Sequence, residues 1–152
     1  MRVETLKDVM DWTESFHRHM ASRLAECADR HPDQRAQLLL RYLADHESTL
    51  TETMKKFGKE SDKNVLDTWC YDHIDQSAIV YRDLCTTDFS TLGVDGIIQR
   101  VAEEHDEIVG LYRYLNERAE TPKGATLMGE ILSLEEHQIM LMMQAANRLH
   151  DV

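Results

Sequence analysis

Four histidines lie near the middle of four predicted helices and could together hold a metal ion: His17, His46, His105 and His137. Each lies on, or one step from, the apolar face of its helix, so in a bundle the four imidazoles would meet at similar depth. A buried imidazole needs a partner for each ring nitrogen, and one Zn, Fe, Cu or Ni ion can satisfy several imidazoles at once. The spacing therefore predicts a His-rich metal site in the middle of the bundle.

Acidic residues accompany these histidines and extend the set of possible ligands. Adjacent residues on a helix point about 100° apart. An acid beside a histidine is therefore expected at the rim of the site or behind a ligand. Runs of acids on a helix also commonly form a solvated face, and a single buried His is commonly a hydrogen-bonded core residue. The acids that we include as candidate metal ligands are Glu14, Glu47, Glu104 and Glu136.

Four segments with helical periodicity must position these residues. Apolar residues recur at alternating steps of three and four, which predicts helices over about 3–30, 32–57, 95–119 and 125–151. Gly58 is expected to end the second helix, and a short helix is expected near 76–84 within a long crossover, 59–94. Short connections predict two antiparallel hairpins. The expected fold is thus a single all-α domain over 1–152, a ferritin-like antiparallel four-helix bundle with one crossover.

A short internal repeat favours two related hairpins. Leu43-Ala-Asp-His-Glu-Ser-Thr-Leu50 aligns with Leu134-Glu-Glu-His-Gln-Ile-Met-Leu141 at a separation of 91 residues (137 − 46). Duplicated hairpins would give the bundle a pseudo-twofold axis, although amphipathic helices can also match in this way by coincidence.

Composition excludes several classes of partner and cofactor. With 17 Lys and Arg against 28 Asp and Glu, the net charge of −11 argues against nucleic acids and anionic membranes as partners. The three cysteines form no C-x-x-C, which argues against c-type haem, and no glycine-rich phosphate loop is present, which argues against a nucleotide. The start of the sequence has no apolar signal region, so we expect a cytoplasmic protein. The Met-rich fourth segment suggests core packing or a homodimer interface.

The chain resembles the ferritin-like superfamily, in particular small bundles of the rubrerythrin type. The resemblance covers most of the chain as two hairpins and a crossover. It is carried locally by Leu43-Ala-Asp-His-Glu47, by Ala102-Glu-Glu-His-Asp-Glu107 and by Leu132-Ser-Leu-Glu-Glu-His137. Such proteins take one Glu from each of two helices and a Glu-x-x-His from each of the other two. The resemblance implies a site for two iron or manganese ions. These ions would serve either chemistry with oxygen or peroxide or the oxidation of iron.

The chain departs from that pattern at specific positions. Glu14 and Glu104 can stand for the single acids. Glu47 and Glu136 can stand for the acids of the Glu-x-x-His pairs, but the third residues after them are Leu50 and Ile139. The intact Glu-x-x-His is Glu14-Ser-Phe-His17, which lies on the first helix. A hemerythrin-like pattern also fails, because the fourth residues after the later histidines are Leu50, Val109 and Leu141.

Three functional hypotheses follow from the sequence. The first is a ferritin-like metalloprotein that holds iron, manganese or zinc and uses di-iron or di-manganese redox chemistry on oxygen or peroxide. The second is a metal-free helical bundle that serves as an interaction or structural module and dimerises. The third is a pH-responsive bundle, in which neutral buried histidines charge and open the structure as the pH falls.

Overall fold

The protein folds as a helical bundle in a computed structural model that describes residues 5–68 and 85–150, the side chain of residue 150 excepted. The elements of the described part are all helices. They are α1 (Leu6–Arg30), α2 (Gln34–Glu60), the single turn α3 (Lys63–Leu66), a 3₁₀ turn (Phe89–Thr91), α4 (Val94–Glu117) and α5 (Pro122–His150). The four predicted long helices and the all-α four-helix bundle are therefore confirmed for the described residues. No helix in the described ranges is both long and apolar enough to span a membrane.

Side-chain caps fix where the first two long helices begin. Thr5 accepts a hydrogen bond from the backbone N–H of Asp8, and the Asp8 carboxylate accepts one from the backbone of Thr5. Asp33 accepts hydrogen bonds from the backbone N–H groups of Arg35 and Ala36 at the start of α2. Such caps satisfy N–H groups that have no partner inside the helix. They place α1 and α2 close to the predicted starts.

Two predicted helix boundaries are wrong by about one turn. We expected Gly58 to end α2, but the helix continues to Glu60 and ends at Ser61, whose N–H bonds to the Phe57 carbonyl. No described glycine adopts positive φ, so Gly58 stays within the regular helix. We expected α5 to begin near residue 125, yet it begins at Pro122, where the fixed φ of proline suits the first helical turn.

The helices pack as two hairpins, α1 against α2 and α4 against α5. Connections of three and four residues, 31–33 and 118–121, make each pair antiparallel. The core lies between the hairpins and is filled by long apolar side chains from all four helices. Its fully buried members include Phe16, Met20, Leu24, Leu39, Leu43, Ile97, Ile108, Tyr112, Ile131 and Met142. A core of this size leaves the middle of the bundle closed to water.

The two hairpins share one register, and it differs from the predicted one. The starts of α1 and α4 are 88 residues apart (94 − 6), and so are the starts of α2 and α5 (122 − 34). Buried positions follow the same separation, as Leu43 and Ile131 show. The repeat predicted at 91 residues is therefore displaced by three positions, close to one helical turn.

The described end of the crossover is held to the first hairpin by basic side chains. His19 Nε2 lies 2.7 Å from the Cys85 carbonyl oxygen, and Arg23 donates to the carbonyls of Thr87 and Thr86 at 3.0 and 2.9 Å. His31 Nε2 lies 2.7 Å from the Leu92 carbonyl oxygen. These two histidines therefore have structural partners. The helix predicted near 76–84 lies outside the described residues.

Candidate metal centre

Each long helix contributes one ionisable side chain to a buried quartet in the middle of the bundle. The quartet consists of His17 on α1, Glu47 on α2, His105 on α4 and Glu135 on α5, each with 0% exposure. Both histidines are the twelfth residue of their helix (17 − 6 + 1 and 105 − 94 + 1). Both glutamates are the fourteenth of theirs (47 − 34 + 1 and 135 − 122 + 1). The shared register of the hairpins therefore brings the four side chains to the same depth.

The quartet is a continuous chain of short polar contacts. His17 lies between the two acids, with Nδ1 2.7 Å from Glu47 Oε2 and Nε2 2.7 Å from Glu135 Oε1. The other oxygen of Glu47, Oε1, lies 2.5 Å from His105 Nε2. His105 Nδ1 lies 2.8 Å from the Val101 carbonyl oxygen, which can only accept a hydrogen bond, so Nδ1 carries a proton.

Several polar atoms of this region have no hydrogen-bond partner among the described residues. His105 Nε2 and Glu47 Oε1 approach closely, yet their orientation does not meet hydrogen-bond geometry, and both are left unsatisfied. Glu135 Oε2 and His46 Nε2 are also unsatisfied. Buried polar atoms without a partner are rare, because each one loses its hydration without compensation. Carboxylate oxygens and unprotonated imidazole nitrogens can all bind a metal ion, so their concentration at one depth is what a metal site requires.

Opposite charges shift the two central pKa values strongly. Burial disfavours the imidazolium of His17, but the carboxylates of Glu135 and Glu47 outweigh burial and raise the pKa of His17 to about 10. Burial also disfavours the carboxylate of Glu47, yet His105 and His17 outweigh it and lower the pKa of Glu47 to about 2. At neutral pH, His17 is therefore a cation and Glu47 an anion. Buried charges of this kind persist only when they are paired.

The pKa values of His105, in the quartet, and of His46, beside it, shift in opposite directions. Burial lowers the pKa of His105, but the adjacent Glu47 carboxylate outweighs burial and raises it overall. Burial lowers the pKa of His46, and the positive charges of His105 and His17 lower it further. The raised pKa values of His17 and His105 argue against a cluster of neutral histidines that becomes charged on acidification, as the pH-responsive hypothesis required.

Aromatic side chains enclose the quartet on the α1 side. The ring of Phe16 lies edge-on to both imidazoles, at centroid distances of 5.4 Å from His17 and 6.1 Å from His105. Tyr112, fully buried, places its hydroxyl 2.6 Å from Thr13 Oγ1. Thr13 Oγ1 in turn donates to the Val9 carbonyl, so Tyr112 is the donor to Thr13. These groups keep water away and strengthen electrostatic interactions within the quartet.

Three of the eight predicted ligands meet in this quartet. His17, Glu47 and His105 each offer a ligand atom, and these atoms lie within 4.8 Å of one another. His46 is half-buried beside them, with its ring 6.2 Å from that of Tyr42.

The other four predicted ligands lie apart from the quartet. Glu104 is buried, but Arg100 Nη2 lies 2.5 Å from it. Glu14 pairs with Arg18 at 2.6 Å, and Glu136 pairs with Arg113 at 3.0 Å. His137, which we expected to face inwards, is exposed.

Glu135 is the functional candidate that the sequence patterns missed. The sequence periodicity assigns the inward face of α5 to Ile131, Leu134, His137, Leu141 and Ala145. Ile131 is indeed buried, but Leu141 is 39% exposed, while Glu135 and Met142 are buried. The α5 helix is apolar on more than one side, so its periodicity alone does not fix which side faces inwards. The 88-residue register between the hairpins fixes the inward side of α5, since it pairs Glu135 with Glu47 as it pairs His105 with His17.

Comparison with known proteins supports the fold. No protein-family model matches the chain, and no curated protein does. Among solved structures, the chain is similar to one from Thermotoga maritima, described as that of a candidate ferritin-like diiron-carboxylate protein. The TM-score is 0.58, with 14% sequence identity and 97% of each chain covered.

The fold is ferritin-like. At 14% identity the likeness establishes the architecture alone. Within this ferritin-like bundle, the finer resemblance to rubrerythrin-type proteins stays a prediction.

The donor set of the quartet suits a transition metal. Imidazole and carboxylate together are ligands for iron, zinc and manganese. The unsatisfied Glu47 Oε1 and His105 Nε2 are the atoms that an added cation would satisfy. The residues present therefore fit a metal ion by ligand type, by burial and by the atoms that lack partners.

Proposed function

We propose that the protein is a ferritin-like metal-binding protein whose site is formed by His17, Glu47 and His105, with Glu135 beside them. The observation that carries the proposal is the convergence of three ligand atoms within 4.8 Å in a core closed to water. Unsatisfied atoms at the same place support it. The similar Thermotoga maritima protein is described as a diiron-carboxylate protein, which agrees with the proposal.

We propose further that the metal is iron or manganese and that the site supports redox chemistry with oxygen or peroxide. A bound redox metal would supply electrons to such a substrate. The described residues would hold the metal, orient its histidines and exclude bulk water. Glu135 Oε1 and the Val101 carbonyl would hold the outer nitrogens of His17 and His105 in place. Zinc is the alternative metal for this donor set, and it would give a structural site.

Metal content and metal-dependent stability test this function together. Protein produced with iron, manganese and zinc supplied, and purified without a His tag, should contain stoichiometric metal. Removing that metal with a chelator should lower the melting temperature, because a ligand that binds only the folded state stabilises it. The matched control is Glu136→Gln, on the exposed acid next to Glu135. A wild-type protein without metal, and without a thermal response to added metal, would refute the proposal.

A metal-free interaction module is the second candidate, and one observation favours it. The quartet pairs cationic His17 with ionised Glu47, so its charges are partly balanced without a metal. The exposed neighbours Met140 and Leu141, 48% and 39% accessible, would then form part of a homodimer contact. The Met140→Lys/Leu141→Lys variant should be monomeric by light scattering under this alternative. An unchanged oligomeric state would count against it.

A further inference from the structure

We infer that the quartet holds one metal ion per chain, bound by His17 Nδ1, His105 Nε2 and Glu47, and that Glu135 positions His17 without binding the metal. This inference rests on the proposed metal-binding function and concerns the number of ions and the division of roles. It departs from the two-ion site that the ferritin-like fold commonly carries.

The outer nitrogen of each imidazole is already occupied by an orienting acceptor. His17 Nε2 lies 2.7 Å from Glu135 Oε1, and His105 Nδ1 lies 2.8 Å from the Val101 carbonyl oxygen. Histidines that bind a metal commonly donate their other N–H to a carboxylate or to a backbone carbonyl, which fixes the ring and its tautomer. Both histidines of the quartet show this arrangement, with different acceptors.

The inner nitrogens of both imidazoles converge on one carboxylate. His17 Nδ1 is 2.7 Å from Glu47 Oε2, and His105 Nε2 is 2.5 Å from Glu47 Oε1. The contact to His105 leaves both of its atoms without a hydrogen bond among the described residues. Two imidazoles and one carboxylate on one side of an ion, with open positions opposite, form the donor set of single-iron oxygenase sites. The inner atoms therefore define one metal position.

The described core lacks the donor pattern of a two-ion site. Two-ion sites of this fold use four carboxylates and two histidines, with a His three residues after each of two acids. Here the third residues after Glu47 and Glu135 are Leu50 and Gln138. A further buried acid, Glu104, lies 2.5 Å from Arg100 Nη2. With Glu135 Oε1 directed at His17, the ligand atoms that lie within 4.8 Å of one another come from His17, Glu47 and His105, which is enough for one ion.

A cobalt titration of the wild-type protein counts the sites. Co²⁺ is added to chelator-treated protein, its visible absorption is followed to saturation, and bound cobalt is measured by elemental analysis after desalting. The inference predicts saturation at one equivalent. Two equivalents with distinct spectra would overturn the single-ion inference while leaving the metal-binding function intact. No saturable binding would instead overturn the metal-binding function, and this inference with it.

Two variants separate a ligand from a positioning residue. Glu47→Gln should lose the bound cobalt, whereas Glu135→Gln should keep one equivalent, with affinity about 10- to 100-fold weaker. Its cobalt spectrum should keep the same coordination number. Glu136→Gln is the matched control and should bind as the wild type does. Loss of all cobalt from folded Glu135→Gln protein would show that Glu135 is itself a ligand. If Glu135→Gln does not fold by circular dichroism, the wild-type stoichiometry still decides the count.

Discussion

Glu47 Oε2 lies 2.7 Å from His17 Nδ1, and neither side chain has any exposed surface. The two residues come from adjacent antiparallel helices of one hairpin, and each lies near the centre of its helix. Removing one partner of a buried ion pair leaves an uncompensated charge in a region of low dielectric. Removing either residue should therefore destabilise the metal-free protein.

The metal-free protein should be most stable in mildly acidic solution. The raised pKa of His17 contributes stability that is complete below the ordinary value of 6.5 and is lost as the pH rises through about 10. The lowered pKa of Glu47 contributes stability that is complete above 4.5 and is lost as the pH falls through about 2. Both contributions are complete only between about pH 4.5 and 6.5. Melting temperatures measured in chelator from pH 2 to 10 should therefore peak in that window.

An apolar version of the quartet provides the control for that pH profile. Replacing all four side chains with leucine removes these titrations, so its melting temperature should vary less between pH 2 and 10. Parallel profiles for the two proteins would show that the quartet does not govern the pH dependence.

Single and complete replacement of the quartet should have opposite effects on stability. The single change His17→Leu leaves Glu47 and Glu135 buried without their shared cation, at a cost of about 3–5 kcal/mol. Replacement of all four side chains with leucine should be neutral or stabilising by about 1–4 kcal/mol. Urea unfolding of the metal-free proteins measures both free energies. A fourfold variant less stable than His17→Leu would argue that the polar network is required for folding.

His105 and His137 should respond differently to the same substitution. His105→Ala removes a fully buried member of the quartet, so metal binding should be lost. His137→Ala changes an exposed side chain on α5, so its stability should stay within about 0.5 kcal/mol of the wild type and its metal content should not change. Metal analysis of the two purified variants makes the comparison. Equal loss of metal from both would place His137 at the site.

The hydrogen-bonded hydroxyls of Thr13 and Tyr112, outside the quartet, should contribute unequally to stability. Thr13→Val leaves the Tyr112 hydroxyl buried without an acceptor and should cost about 1–3 kcal/mol. Tyr112→Phe should cost less, about 0.5–1.5 kcal/mol, because Thr13 still donates to the Val9 carbonyl. Chemical denaturation should rank the variants in that order. The reverse order would show that Tyr112 has another acceptor.

The sequence predicted the bundle because its signals are local and repeated. Alternating steps of three and four identify each helix, and the breaks at Pro32 and Pro122 place the hairpin turns. The same signals identified His17 and His105, because each lies in a helix with one clearly apolar face. Glu47 was a candidate only as the acid beside His46, and the expected arrangement is reversed, since Glu47 is fully buried and His46 is half-buried. They misplaced the end of α2 and the start of α5 by about a turn, since Gly58 and Pro122 are compatible with a helical backbone.

The fourth member of the quartet required information from another helix. Glu135 and Glu136 are adjacent in sequence, and composition gives no reason to prefer either. The Met-rich helix α5 could bury more than one face, so packing against the first hairpin decides its rotation. That packing buries Glu135 and leaves Glu136 beside Arg113. The 88-residue register, read from helix starts, was the signal that could have identified it.

Metal content measured by elemental analysis tests the central claim most directly. The wild-type protein and Glu47→Gln would be produced side by side with iron, manganese and zinc supplied, and purified without a His tag. We predict one equivalent of a transition metal per wild-type chain and none in folded Glu47→Gln protein. A wild-type protein without metal, or equal metal in both proteins, would contradict the assignment of this buried quartet as a metal site.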